Sequence, residues 1–221
     1  MDRRNFLKRG GAFGVGVLGV AFIGSRIFAG QMRHKKENCV ITMVSKDLDF
    51  VFFTMDGIPG KQVVIDWGDG TIETKTLSSF VSVRHIYNDE KTHTVTVTSE
   101  NTITHFSCSM NQLTYLDVSG NTELIQLHCS FNYLTNLNLR NNLKLNYLQV
   151  FHNHLSSLDV SNNIELKELR CENNQLTSLD VSNNTALTRL SCYNNQFRTL
   201  DVSKNKALEN LQSKNQFKII K

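Results

Sequence analysis

Three sets of side chains in this 221-residue sequence have types and spacings that could do chemistry. His152-Asn153-His154 matches the letters of a metal-dependent nuclease motif, and Asp66 and Asp69 could bind calcium in a glycine-rich turn. Four of the five cysteines recur at regular intervals, as disulfide partners or metal ligands would. What each set can do depends on where the backbone points it, so the elements that carry these residues have to be predicted first.

The cysteine spacing reveals a repeat of 21 residues. Cys108, Cys129, Cys171 and Cys192 are 21, 42 and 21 residues apart, and Val150 occupies the vacant place. Five gapless units follow this period, and a sixth, which starts at Leu208, loses one residue and is incomplete. The full units are 103–123, 124–144, 145–165, 166–186 and 187–207. Such internal repetition predicts a solenoid over residues 102–221 in which each unit forms one coil.

Each unit has too few apolar groups to bury alone, so stacked coils must share one continuous core of equivalent leucines. Cysteine at the sixth position replaces an inward apolar residue, as Val150 does, and free cysteine packs as a small hydrophobe. A disulfide ladder is the rival interpretation, but bridged cysteines need Cβ atoms about 3.8 Å apart, closer than the about 4.8 Å between neighbouring strands. We therefore expect buried core thiols.

Asparagine occupies two positions of the repeat, where an inward amide could satisfy backbone groups of its own coil and the next one. The ninth position is asparagine in every full unit: Asn111, Asn132, Asn153, Asn174 and Asn195. The nineteenth position is asparagine as well: Asn121, Asn142, Asn163, Asn184 and Asn205. We expect two structural ladders, one at each turn of the coil.

The consensus L-x-x-L-x-C-x-x-N-x-L-x-x-L-D-V-S-x-N-x-x resembles the leucine-rich repeat. It is most similar to the short, cysteine-bearing repeats of internalin J-like bacterial surface proteins, and the resemblance covers just over half of the chain. It implies a right-handed solenoid whose concave face is a parallel β-sheet.

Residues 37–101 alternate between apolar and polar side chains with a period of two, which predicts a small antiparallel β-sandwich. The stretch "VVIDWGDGT", with "HIY" and "HTVTVT" after it, resembles a polycystic-kidney-disease-like domain, which has an immunoglobulin-like fold. The fold class is thus mainly β, a short sandwich followed by the solenoid. We expect the sandwich to cap the first coil. Asp66 and Asp69 supply too few oxygens for calcium, so turn hydrogen bonding is the favoured role.

Residues 1–36 have the layout of an export signal: a basic head, a glycine-rich apolar run over residues 10–25, and a further arginine. "RRNFLK", which contains Arg3 and Arg4, resembles a twin-arginine signal, with an ordinary secretory signal as the alternative. No small-x-small cleavage site is evident, so the run could also remain as a membrane anchor. The segment holds eight of the 24 Lys and Arg but one of the 20 Asp and Glu, which leaves the rest of the chain at −3. The sequence therefore predicts no electrostatic footprint for nucleic acid.

Strand alternation directs positions three, five and seven of each unit outward, and position eight follows at the rim. Aromatic and charged residues gather there in the second to fifth units, as in binding hot spots, although chance drift at solvent positions would give the same picture. The candidate ligand-binding residues are His128, Phe131, Tyr147, Gln149, Phe151, His152, Glu168, Arg170, Glu172, Arg189 and Tyr193. Ser130 and Ser191 belong to the same outward set.

No nucleophile motif, phosphate loop or Cys-x-x-Cys pair occurs, so we expect neither an enzyme nor a cofactor or metal site. The leading hypothesis is an exported bacterial interaction protein, in the periplasm or at the cell surface, that binds a protein or glycan on the concave face. The alternative is a structural spacer or assembly subunit of the envelope. His152 and His154 flank a ladder asparagine, so the nuclease-like letters are interpreted as an accident of the repeat.

Overall fold

The alternating and repeating patterns produce a chain of β-strands. The structure is a computed structural model that describes residues 39–45, 50–89, 91–214 and 217–221. The predicted export signal, with Arg3 and Arg4, lies outside the described residues. The strands are β1 (Cys39–Ser45), β2 (Phe50–Gly57), β3 (Gln62–Asp66), β4 (Ile72–Thr76), β5 (Val81–Ile86), β6 (His93–Ser99), β7 (Ile103–Ser107), β8 (Leu113–Asp117), β9 (Gln126–His128), β10 (Tyr147–Gln149), β11 (Glu168–Arg170), β12 (Arg189–Ser191), β13 (Thr199–Asp201), β14 (Asn210–Gln212) and β15 (Lys218–Ile220).

The strands form three sheets. A five-stranded sheet has the order β4-β3-β6-β1-β8, and an eight-stranded sheet has the order β14-β12-β11-β10-β9-β7-β2-β5. A two-stranded sheet joins β13 to β15. The mainly β class is confirmed. Within the described ranges no helix is long and apolar enough to cross a bilayer.

The strands before the repeats divide between the two larger sheets and share one apolar core. The Phe53 ring on β2 lies 5.7 Å from the Trp67 ring that follows β3, which joins the two sheets. Strand β4 is additional to the strands that the alternation predicts, because its residues are at best half-buried and show little apolar periodicity. The immunoglobulin-like assignment and the domain boundaries stay predictions.

The first coil is built into both larger sheets. Strand β7 pairs with β2, and β8 pairs with β1, both antiparallel, whereas later coils pair in parallel. Asn111 accepts from the Phe52 backbone N–H at 2.8 Å and donates to the Phe52 carbonyl at 2.7 Å. The backbone groups that an exposed solenoid end would leave free are therefore paired here.

Coils two to five repeat one hydrogen-bonding register at intervals of 21 residues, as Leu127, Leu148, Leu169 and Leu190 pair in sequence. The sixth-position side chains are fully buried in a single row: Cys108, Cys129, Val150, Cys171 and Cys192. Their backbone N–H groups bond to the next coil, for example Cys129 N to Gln149 O at 2.9 Å. The solenoid thus has the turns of about 21 residues that the period predicts.

The ninth-position asparagines cross-link successive coils through their amides. The Asn153 Nδ2 donates to the carbonyls of Cys129 and Val150, both at 3.0 Å, and its Oδ1 accepts from Leu134 N at 3.0 Å. Asn132, Asn174 and Asn195 repeat this arrangement. Each amide therefore pairs buried backbone groups that water cannot reach.

The nineteenth-position asparagines form a second, less complete ladder. The Asn163 Nδ2 donates to Leu139 O at 3.2 Å and to Asn142 O at 2.8 Å. Its Oδ1 is buried and has no hydrogen-bond partner among the described residues, as is true along the whole row. The two ladders therefore differ in what they hold together.

The sixth coil keeps the pattern after its deletion. Lys214 has φ +50°, the left-handed backbone that all five full units show at position eight, so the missing residue precedes it. Ser213 is buried where the other coils have cysteine or valine. The Phe217 ring packs at 4.5 Å on Phe197 of the coil before. Strand β14 extends the large sheet despite the deletion.

Candidate binding face

The candidate site is one face of the eight-stranded sheet. Its strands β9 to β12 bury their middle leucines and turn their first and third residues to the opposite side. His128, Tyr147, Gln149, Glu168 and Arg170 lie on this outward side, half-buried by one another, and Arg189 is exposed. The structure therefore brings these predicted residues onto a common surface.

Three residues of the outward set are buried, so the expectation of solvent exposure is wrong for them. Ser130, Glu172 and Ser191 are only 1%, 1% and 5% exposed. Ser130 and Glu172 stand at position seven, where the strand has ended and the chain bends into the turn. Strict two-residue alternation does not extend through a bend, and neighbouring larger side chains cover these positions. Glu172 is consequently not a surface residue of the candidate site.

Aromatic rings pair between coils two and three at every level of the face. The rings of His128 and Tyr147 stack at 5.0 Å, and those of Phe131 and His152 at 4.5 Å with planes 10° apart. Phe151 meets the Phe131 ring edge to face at 5.2 Å. We call these five residues the ring cluster. Their pairing follows from the repeat, because equivalent positions of adjacent coils lie one strand spacing apart.

Position eight has a left-handed backbone in all five full units. Met110, Phe131, His152, Asn173 and Asn194 have φ between +53° and +61°. Asparagine tolerates this conformation best among residues with a side chain beyond Cβ, whereas bulky residues are uncommon in it. The ring cluster therefore holds two of its rings on backbone that disfavours them.

A hydrogen-bonded row continues from the ring cluster along position eight. The Asn173 amide nitrogen lies 3.2 Å from His152 Nε2, and the Asn194 amide donates to Asn173 Oδ1 at 2.7 Å. His152 is thus held between an aromatic neighbour on one side and an amide on the other.

The sequence interpretation missed two parts of this surface. Tyr133 and His154, at position ten, stack at 5.7 Å with planes 4° apart, and Tyr133 is 45% exposed. The period of 21 and their aromatic character were sufficient to find them. On β2, Phe50 and Phe52 are exposed and share a face with Thr54, which pairs with Ser107 of β7. The face therefore continues onto β2, which only the sheet order could reveal.

Two arginines cover the part of the face that belongs to coils four and five. The Arg170 guanidinium stacks over the Phe151 ring at 4.4 Å, and its Nε and Nη2 both donate to Glu172 Oε1. Arg189 Nη1 donates to Glu168 Oε2 at 3.3 Å. Tyr193, the last predicted site residue, lies under the Lys214 ammonium at 3.9 Å.

The electrostatic environment keeps most of the other titratable groups on and beneath the face neutral at pH 7. Burial and the neighbouring His105 lower the pKa of His128. Burial and the Glu168 carboxylate raise the pKa of Tyr147. Burial raises the pKa of the Cys129 and Cys192 thiols to about 12. The thiolate, which is the reactive form of cysteine, is therefore scarce in the folded chain.

The two histidines of the nuclease-like letters do not converge. Asn153 points inward between them, His152 stacks on Phe131, and His154 stacks on Tyr133. In the described part of the chain, no three His, Cys, Asp or Glu side chains are grouped as metal ligands would be. The geometry gives this pair no catalytic arrangement.

The aspartates of the N-terminal turn bond to their own loop. Asp66 Oδ1 accepts from Gly68 N at 3.0 Å, and Asp69 Oδ1 accepts from Thr71 N at 2.9 Å. Burial would raise the pKa of Asp69, but the bonds from Thr71 and from His85 lower it overall. The His85 ring in turn stacks on Trp67 at 4.7 Å. These side chains hold the turn together, as turn hydrogen bonding predicts.

The geometry defines the class of this protein as a leucine-rich-repeat solenoid with a face of aromatic and charged side chains. No protein-family model matches the chain. No curated protein matches it either.

Solved structures give a more particular likeness. The chain is 36% identical to the functional domain of the internalin InlJ from Listeria monocytogenes, which includes a cysteine ladder, with a TM-score of 0.51 over 52% of this chain. It is 26% identical to the internalin InlF from L. monocytogenes strain 4b F2365, with a TM-score of 0.40 over 47% of this chain. The match spans 25% and 32% of the length of those two chains. The repeats are thus an internalin-like leucine-rich-repeat solenoid.

Proposed function

We propose that this chain is an exported bacterial interaction protein, without enzymatic activity, that binds a protein or glycan ligand on the concave face of its repeats. The basic and apolar N-terminus supports export to the periplasm or the cell surface. The similarity to internalin InlJ supports an interaction role for the repeats.

The observation that carries the proposal is the ring cluster on strained backbone. Left-handed backbone costs an ordinary residue roughly 1–2 kcal/mol, and asparagine less. Asn173 and Asn194 meet the needs of the same turn in coils four and five, whereas coils two and three place Phe131 and His152 there. Phe131 is 42% exposed, so its burial is incomplete. Side chains that cost stability at an exposed position are the ones to suspect of a function.

One observation favours the alternative, a structural spacer. The ring pairs bridge coils two and three, so the same stacking could serve only to stiffen the solenoid. In that case the rings would matter for stability and not for binding.

A variant of the full chain separates the two functions. Phe131→Asn, Tyr147→Ser and Phe151→Ser together remove three rings of the face. The matched control is Leu143→Ser with Ile164→Ser, which removes two exposed apolar side chains, 55% and 60% exposed, at position 20 of the repeat.

A partner is first captured by photo-crosslinking from Gln149, and its affinity for each variant is then measured. The proposal predicts that the ring variant loses most of its affinity while the control keeps it, with similar thermal unfolding for both. Retention of binding by the ring variant, with a lower melting temperature, would favour the spacer.

A further inference from the structure

The exposed charges of the binding face are cationic, although its ion pairs are balanced. In the pair of Arg170 with Glu172, the side chains are 37% and 1% exposed. In the pair of Arg189 with Glu168, they are 67% and 16% exposed. A ligand that approaches this part of the face therefore meets guanidinium groups, while the carboxylates lie beneath them.

The Arg170 guanidinium is fixed in position before any ligand arrives. Phe151 supports its face, and Glu172 holds Nε and Nη2 from below. Nη1 has no hydrogen-bond partner among the described residues, and its N–H groups are the ones left to donate. A planar guanidinium held in this way is suited to a carboxylate, since little side-chain entropy is lost on binding.

A third cationic group lies at the same end of the face. The Lys214 ammonium lies over the Tyr193 ring, one coil beyond Arg189. The outward positions of coils one to three carry no Lys, Arg, Asp or Glu at all. The face therefore has two zones, an uncharged aromatic zone on coils two and three and a cationic zone on coils four to six.

The ring geometry indicates which ligands suit the aromatic zone. The rings of Phe131 and His152 cover each other's faces, as do those of His128 and Tyr147, so each pair has one face fewer to offer. Sugars bind aromatic residues chiefly by lying against an open ring face. Ring edges carry the positive part of the quadrupole and favour carbonyl oxygens or the faces of other aromatic rings, both of which a polypeptide supplies.

We infer that the ligand of this face is an acidic segment of a protein, with carboxylates on Arg170 and Arg189 and apolar side chains on the ring cluster. The inference rests on the proposed function and specifies its ligand class. Charge complementarity of this kind sets both specificity and the rate of association.

The test uses the full chain and fluorescent peptides of equal length with the same Leu and Phe residues, which otherwise carry only Glu, only Gln or only Lys. A sulfated oligosaccharide is the anionic glycan probe. Residues 37–221 have a net charge of −3, so a preference for the acidic peptide would not follow from overall attraction. Affinity is measured by fluorescence anisotropy, or by competition for the oligosaccharide, at low and high salt.

Two substitutions should act in opposite directions on the acidic peptide. Arg189→Gln removes an exposed cation and should weaken binding by about threefold to tenfold, whereas Glu168→Gln removes the carboxylate beneath it and should tighten binding. The control is Arg140→Gln, whose side chain is 72% exposed and pairs with Asp159 in a turn away from the face. It should leave the affinity unchanged.

The outcomes separate this inference from the proposed function. Equal affinity for the Glu and Gln peptides, tighter binding of the oligosaccharide, or no effect of either substitution at the Arg189 pair would overturn the acidic ligand. The proposed function would still stand if Tyr147→Ser with Phe151→Ser weakened binding of the captured partner. Loss of both the peptide preference and that ring dependence would overturn both.

Discussion

Replacement of Asn153 by alanine should destabilise the solenoid because one buried N–H loses its acceptor. Asn153 is 4% exposed, and its Oδ1 is the acceptor for Leu134 N. The carbonyls of Cys129 and Val150 lose one bond each, but each keeps a donor from a neighbouring ladder asparagine. An unsatisfied buried N–H costs about 1–3 kcal/mol, and each lost bond to a carbonyl about 1 kcal/mol. The free energy of unfolding should therefore fall by about 3–4 kcal/mol.

Asn163→Ala is the matched control, with the same chemical change on the second ladder. The two carbonyls that Asn163 bonds, Leu139 O and Asn142 O, keep a backbone N–H donor each. No N–H depends on the Asn163 Oδ1, which is buried without a partner among the described residues. Removal of that unsatisfied oxygen offsets part of the loss, so the cost should be about 1 kcal/mol.

The two variants are compared by urea unfolding of the full chain. Circular dichroism reports on the strands, and fluorescence of Trp67, the single tryptophan, reports on the N-terminal sheets. Noncoincident curves would mean that the coils unfold separately, and the midpoint of the dichroism curve is then the quantity to compare. A cost for Asn163→Ala equal to or above that for Asn153→Ala would refute the account of the two ladders.

Met110→Asn should raise the free energy of unfolding by about 1 kcal/mol, because Met110 is 68% exposed on left-handed backbone that asparagine tolerates better; an unchanged melting temperature would contradict the strain argument. The thiols of Cys129 and Cys192 should react with a disulfide reagent at pH 8 only after denaturation, since burial raises each pKa to about 12; fast labelling of the native chain would be inconsistent with that burial. Stability should fall as the pH drops below about 4, because hydrogen bonds lower the folded-state pKa of Asp69 and Asp159, so their contribution is present above the unfolded value and is lost on protonation. Asp69→Asn should make this acid loss shallower in urea titrations at several pH values.

The period of the sequence was sufficient to predict the coils. A repeat of 21 residues leaves one way to bring equivalent leucines together, so the inward row of cysteines follows from spacing alone. The outward aromatic positions on the strands could be found in the same way, because strand alternation is local. Position ten was accessible by the same reasoning, and Tyr133 and His154 show that the turn also contributes to the surface.

Burial at the bends could not be predicted from the period. Glu172 stands at an outward position by count, but the bend after β11 turns it beneath Arg170, where its carboxylate is 1% exposed. The exposed charge of the face depends on this difference, because an exposed Glu172 would have cancelled the arginine. Alternation fails here since it assumes an extended backbone, and the chain at position eight is left-handed.

The sequence by itself determined the repeat, the core row and the inward asparagines, because each depends on contacts between positions a fixed number of residues apart. Only the tertiary structure decided how the first coil joins β1 and β2, since the pairing of distant antiparallel strands leaves no periodic trace. It also decided that Phe52 shares a face with the ring cluster and that the cations of that face are exposed while their carboxylates are covered. Those features depend on sheet order and on bends, which arise from packing between segments and not from local spacing.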